Sequence, residues 1–192
     1  MSHDQVRDLR PVQPVDGATS RQRVFGVTGW KNAGKTTLTE RLVAELARRG
    51  WRVATIKHAH HAADIDRPGT DSYRHRAAGA TEVALVTGQR YAIMREQEEP
   101  TLAEVLGRLA PADLVLIEGF KREPHPKIEV RGADAADRPS LAAGDPSIVA
   151  IAADTAPAER HLPWFRRDDI AAIADFIAGH VGRDAPTRSA SS

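Results

Sequence analysis

Apolar positions along this chain alternate between runs of strand length and helical spacing, and that alternation predicts a layered α/β domain. Residues 23–28 form a short apolar run around Val24, Phe25 and Val27. Leu38, Leu42, Val43 and Leu46 then recur on one helical face, closed by Arg48, Arg49 and Gly50. Residues 51–57 read as a second strand, parallel to the first because a helix joins them. Thr70, Asp71 and Ser72 are capping residues for a short helix over 73–78, stopped by Gly79. Its face carries Arg74, His75 and Arg76, so it is poorly suited to deep burial. Residues 81–87 and 90–95 pair as an antiparallel hairpin around Gly88 and Gln89. Thr101 and Glu104 form a capping box ahead of Leu102, Val105, Leu106 and Leu109.

The run 113–119 is continuously apolar until Glu118 and fits a central parallel strand buried on both faces. A short strand at 128–130, a long loop rich in Gly, Ala, Asp and Pro at 131–146, and a late strand at 147–152 follow. Asp168 and Asp169 cap a last helix with Ile170, Ile173, Ile177 and Val181 on its apolar side. Residues 1–22 and 183–192 lack periodicity and are expected to be a disordered lead and tail, leaving 23–182 as one domain.

Between the first strand and the first helix stands Gly29-Trp30-Lys31-Asn32-Ala33-Gly34-Lys35-Thr36, which fits G-x-x-x-x-G-K-[ST]. Polyphosphates carry several negative charges, and a loop of small residues lets successive backbone N–H groups turn inward to hold them. Gly29 and Gly34 permit the turns, Lys35 reaches the terminal phosphates, and the Thr36 hydroxyl suits Mg²⁺. Lys31, Asn32, Ala33 and Thr37 complete the candidate contacts of this loop. Strand, loop and helix stand in the required order. The expected architecture is therefore a P-loop NTPase-type three-layer αβα fold, with a mostly parallel central sheet plus the hairpin.

Two further stretches bear on the same ligand. Glu118 ends the buried strand, where P-loop proteins place an acid facing Mg²⁺. Lys57 ends the second strand and opens a dense polar cluster, His58, His60, His61, Asp64, Asp66, Arg67 and onwards. In open α/β sheets ligands bind beyond the carboxyl ends of the strands, where this cluster falls. The candidate metal set is Thr36, Asp66 and Glu118. Lys57, His58 and His61 are candidate nucleotide contacts. Asp154, after the late strand, either accepts from a base or caps the turn Asp154-Thr155-Ala156-Pro157.

Composition narrows the class. The net charge of +1 in 192 residues gives no case for nucleic-acid or membrane attraction. The absence of cysteine excludes disulfides and thiolate metal sites and fits a reducing compartment. No apolar run approaches a membrane span, and Asp4, Arg7, Asp8 and Arg10 stand where a signal peptide needs an apolar core. A cytoplasmic protein is expected. Only five of the 27 basic residues are lysines, and four of these (Lys31, Lys35, Lys57 and Lys121) lie in the loop or follow strands.

The block Lys57-His58-Ala59-His60-His61, Asp64-Ile65-Asp66-Arg67-Pro68-Gly69-Thr70-Asp71-Ser72, with Ile117-Glu118-Gly119-Phe120-Lys121 and the phosphate loop, resembles the bacterial molybdopterin-guanine dinucleotide biosynthesis adaptor (MobB) family. The similarity covers roughly residues 23 to 180. It implies a GTP- and Mg²⁺-binding adaptor, commonly a homodimer with weak intrinsic GTPase activity. It also implies a partner, the nucleotidyltransferase that joins GMP to molybdopterin. On the residues alone, Asp154 is the position that would accept from guanine N1 and N2, unless it caps its own turn. The residues by themselves leave two other classes open. One is a small-molecule kinase with Arg67, Arg74 and Arg76 as a lid, and the other a metallochaperone NTPase with His58, His60 and His61 as ligands.

Overall fold

The parallel sheet that carries the phosphate loop has six strands, β1 (Val24–Thr28), β2 (Val53–Lys57), β5 (Leu114–Glu118), β6 (Lys127–Arg131), β7 (Ile148–Ala153) and β8 (Trp164–Arg166). Their spatial order is β2-β5-β1-β6-β7-β8. A second sheet pairs β3 (Glu82–Val86) with β4 (Tyr91–Arg95), and the helices are α1 (Lys35–Arg48), α2 (Asp71–Ala77), α3 (Leu102–Arg108) and α4 (Ile170–His180). This computed structural model describes residues 22–59, 66–133, 138–159 and 161–182. The expected disordered lead and tail lie outside these, apart from Gln22, as do His60, His61 and Asp64. No described helix is long and apolar enough to cross a membrane.

Both faces of the main sheet are covered, as the order of strands and helices predicts. One face buries Phe25, Val27, Leu116, Ile128 and Val130 against Leu38, Leu42 and Leu46 of α1 and Ile173 and Ile177 of α4. On the other, Ile56, Val115 and Ile117 meet Leu102, Val105 and Leu106 of α3. Burying each large aliphatic is worth roughly 1.5–3 kcal/mol, so β5, inserted between β2 and β1, is the strand least able to move. Its register aligns Val27, Lys57 and Glu118 across three strands.

Beneath β6 the second face is polar. Lys127 is fully buried and donates to the Glu123 carbonyl and the Ser147 hydroxyl. Glu129, also buried, accepts from the backbone N–H groups of Leu141 and Ala142, each at 3.0 Å, and pairs with Arg131 at 2.9 Å. These bonds tie Leu141 and Ala142, in the later part of the long loop, to the sheet. Gly26 makes room there, since a Cβ would lie 2.7 Å from His125 Nε2 and from Lys127 Cγ.

The hairpin has the expected turn, with Thr87 N–H donating to the Arg90 carbonyl at 2.8 Å. α2 packs beside β3, and Val83 and Met94 are buried. Towards its turn the hairpin is apolar and bare: Val86 and Tyr91 are each 72 % exposed, and Leu85 and Ile93 more than half. The capping box of α3 is present, while α4 is capped by Asp169 alone, whose side chain accepts from Ala172 N–H. β8 is an element the apolar pattern does not predict.

Candidate functional site

All the strand ends that matter open on one edge. β1 runs into the loop 29–34, β2 into His58, β5 into Gly119, β7 into Asp154 and β8 into Arg167. The loop's conformation explains its residues. Gly29 has φ 145°, and a Cβ there would stand 2.5 Å from the Val130 carbonyl oxygen. Asn32 (φ 64°) and Gly34 (φ 95°) are left-handed, a region that Gly and Asn tolerate best. Ala33 N–H closes the turn on the Trp30 carbonyl at 3.2 Å.

Lys35 Nζ donates to the Trp30 carbonyl at 2.7 Å, which curls the side chain over the loop. Burial holds the Lys35 ammonium below its ordinary pKa; Glu118 opposes this, and Lys121 and Lys57 add to it. A polyphosphate would supply the negative charge this site is short of. The Thr36 hydroxyl donates to Glu118, with both carboxylate oxygens in reach at 3.0 and 3.1 Å. Lys57 Nζ stands 3.5 Å from Thr36 Oγ1 and 3.8 Å from Glu118 Oε1. Lys57 and Glu118 meet because they are register partners at the ends of adjacent strands. A cavity of about 290 Å³ opens here, lined by Gly29, Lys31, Lys35, His58, Glu118 and Lys121 among others.

The structure thus brings Lys31, Lys35, Thr36, Lys57, His58 and Glu118 together. His58 is also committed elsewhere: its Nε2 lies 2.6 Å from Glu99 Oε1, and its ring stacks on Phe120 at 4.4 Å. The stack depends on a left-handed turn at Gly119 (φ 103°) and Phe120 (φ 45°). Asp66 is placed with a different set. Its Oδ1 accepts from Arg67 N–H at 2.9 Å and from the Thr70 and Ser72 hydroxyls at 3.0 Å, and Arg76 stands 3.7 Å from Oδ2. These contacts fasten the approach to α2, and among the described residues none of the hydrogen bonds or ion pairs of Asp66 reaches Thr36 or Glu118. Arg76, a candidate lid residue, is tied to Glu96 at 2.7 Å. Among the described residues no three His, Asp or Glu side chains form a metal-holding group; His60 and His61 lie outside them.

On the loop's other side a second cavity, of about 230 Å³, is lined by Gly34, Thr37, Leu38, Arg41, Asp154, Arg167 and Asp168. Asp154 is gripped by Arg167 through both carboxylate oxygens, each at 2.7 Å, and that fork holds the carboxyl below its ordinary pKa. Arg167 Nη1 also donates to the Ala33 carbonyl at 3.3 Å. Sequence reasoning missed Arg167, one arginine among many after a three-residue strand. It also missed the role of Trp30. The Trp30 indole donates to the Pro139 carbonyl at 2.8 Å, with the Lys121 and Arg138 cations 5.7 and 5.8 Å from the ring.

Known proteins with this architecture are similar over most of the chain. The molybdopterin-guanine dinucleotide biosynthesis adapter protein of Escherichia coli (strain K12) is 38 % identical over 159 residues, covering 80 % of this chain and 90 % of that one. The Haemophilus influenzae protein of the same name is 40 % identical over 157 residues, covering 80 % and 86 %. The crystal structure of a MobB protein homolog from Bacillus stearothermophilus matches with a TM-score of 0.62 at 31 % identity, over 82 % of this chain and 97 % of that one. Residues 24–154 match the family described as molybdopterin guanine dinucleotide synthesis protein B, and the chain belongs to that family.

Proposed function

We propose that this protein is a GTP-binding adaptor of molybdenum cofactor biosynthesis. It would assist the nucleotidyltransferase that joins GMP to molybdopterin, and act in the cytoplasm. The observation that carries the reading is the convergence of Lys35, Thr36, Lys57 and Glu118 at one strand edge, in a chain of this family. The relatives' names supply the adaptor role.

The residues fit Mg²⁺. A hydroxyl and a carboxylate are hard oxygen donors, and magnesium usually takes one or two protein oxygens with the remaining positions left to phosphate and water. Thr36 would be the direct ligand and Glu118 would hold its hydroxyl or an intervening water. When bound, the ion neutralises charge across the phosphate oxygens. The protein's own part is to cradle the phosphates with the N–H groups of 31–36, to carry Lys35 to the terminal phosphate, and to keep Lys57 beside the metal's ligands. Hydrolysis is weak in this reading, because His58, the imidazole on that wall, already pairs with Glu99 and stacks on Phe120.

The protein acts as a homodimer in this reading. A two-stranded hairpin is marginal on its own, and here Val86, Tyr91 and Ile93 share one bare face. Packing two such faces together would bury them, while one copy leaves them in water.

The test is reconstitution with the partner transferase, GTP and molybdopterin. Dinucleotide formation should rise on adding this protein and fail to rise with Lys35→Ala. No stimulation by the wild-type chain, phosphate transfer to a small acceptor, or stoichiometric Zn²⁺ or Ni²⁺ retained at nucleotide saturation would each overturn the reading.

A further inference from the structure

The two cavities flank the loop and divide a nucleotide between them. Lys35, Thr36 and Glu118 mark the end where the terminal phosphate and the metal belong. The chain of phosphates therefore runs towards Thr37, and the sugar and base leave on that side. The cavity by Gly34, Thr37 and Arg41 lies there, and at about 230 Å³ it has room for a base and little more. This step rests on the phosphate-loop reading above.

Two carboxylates, Asp154 and Asp168, line that cavity. Guanine presents two adjacent donors, N1–H and the 2-amino group, whereas adenine presents an acceptor at N1. A carboxylate with both oxygens available is thus a guanine reader. Asp154 does not have them available. Arg167 holds both oxygens in a charge-assisted fork at 2.7 Å, the strongest kind of side-chain pairing. Arg167 is itself built in: its Nη1 bonds the Ala33 carbonyl, and it lies where a Cβ on Gly34 (2.7 Å) or Gly132 (3.0 Å) would intrude.

Asp168 is differently placed. Its side chain accepts from Arg166 at 3.2 and 3.5 Å, and both side chains are about two-thirds exposed. Such a surface pair contributes little and is readily exchanged. The helix cap next door is Asp169, so Asp168 is not required for α4.

We infer that Asp168 is the residue that selects guanine, and that Asp154 and Arg167 are positioning residues. The fork fixes Arg167 on the outer wall of the loop. That in turn fixes the next residue, Asp168, beside Thr37 and Arg41. The base enters the cavity, N1–H and the 2-amino group donate to Asp168, and Arg166 gives way to them. A charge-assisted contact of this kind accounts for about a 10–100-fold preference.

The test uses the full chain with Mg²⁺ and calorimetric titrations of GTP, ITP, XTP and ATP. The wild type should bind GTP best, ITP less well because it lacks the 2-amino donor, and ATP weakly. Asp168→Asn should lose about 10–100-fold for GTP and gain affinity for XTP, whose 2-oxo group can accept from the new amide. Asp154→Asn should weaken GTP and ATP by the same factor and leave the order of preference unaltered. A base preference that survives Asp168→Asn, or one that moves to XTP in Asp154→Asn instead, overturns the assignment while leaving the phosphate loop standing. A wild-type chain that binds no nucleoside triphosphate overturns both.

Discussion

Replacing Glu118 by Gln separates the site's chemistry from the fold. The side chain ends a buried strand, accepts from Thr36 at 3.0 and 3.1 Å and stands 3.8 Å from Lys57. Gln keeps an acceptor oxygen for Thr36 and loses only the charge. Lys57 is 61 % exposed, so the lost ion pair is worth no more than about 1 kcal/mol. For a domain of this size that is a melting shift of about 2–4 °C. The effect on Mg²⁺-dependent binding should be larger. Groups that orient a metal's ligands typically matter 10–100-fold, which is about 1.4–2.8 kcal/mol. Glu118 is also the charge that raises the Lys35 pKa against burial, so in Glu118→Gln the lysine should lose its proton more readily. Thermal melting without nucleotide, and titration of GTP with and without Mg²⁺, measure both sides. A melting point that drops by about 10 °C with the Mg²⁺ dependence of binding intact would refute the reasoning and make Glu118 structural.

Four other outcomes follow from the same structure. His125 is 8 % exposed, and burial, aided by Lys127 and opposed by Asp145, pulls its pKa from 6.5 to about 4. The unfolded chain therefore takes up this proton first, so stability should fall as pH drops from 6.5 to 4, by up to about 3 kcal/mol. Urea midpoints across that range should show His125→Leu losing this part of the pH dependence, and an unchanged slope would contradict it. Gly50→Ala meets no neighbour within 4 Å and only a left-handed backbone (φ 81°), so it should cost about 1–2 kcal/mol and leave GTP binding alone. Gly29→Ala faces the Val130 carbonyl at 2.5 Å, and should cost more in the same denaturation assay and abolish binding; equal effects would contradict the account of the loop. The wild type should sediment as a dimer and the double variant Val86→Glu, Ile93→Glu as a monomer, and identical sedimentation of the two would contradict the hairpin as a dimer face.

The legible parts of this protein were those whose chemistry is contiguous. Gly29 to Thr36 announces itself because one ligand needs all of those residues side by side. Glu118 follows from a four-residue apolar run ending in an acid. Lys57 was legible as a strand end, although its pairing with Glu118 needed the strand order. The less legible parts depend on residues distant in sequence. Asp66 belongs to the polar cluster that follows β2, yet Thr70 and Ser72 nearby capture its carboxylate. His58 reaches the cavity but finds Glu99, 41 positions on, which no spacing rule announces. The later part of the loop after β6 carries no periodicity because what holds Leu141 and Ala142 is Glu129, a charge inside a buried strand. Arg167 could be noticed only once β7 and β8 were known to be neighbours.

The most direct test of the central claim is a calorimetric titration of GTP into the wild-type chain and Lys35→Ala, each with and without Mg²⁺. The account predicts one nucleotide per chain, tighter with Mg²⁺. Losing a charge-assisted phosphate contact worth about 1.5–3 kcal/mol should weaken binding by one to two orders of magnitude in Lys35→Ala. Equal affinity in the two proteins would contradict it.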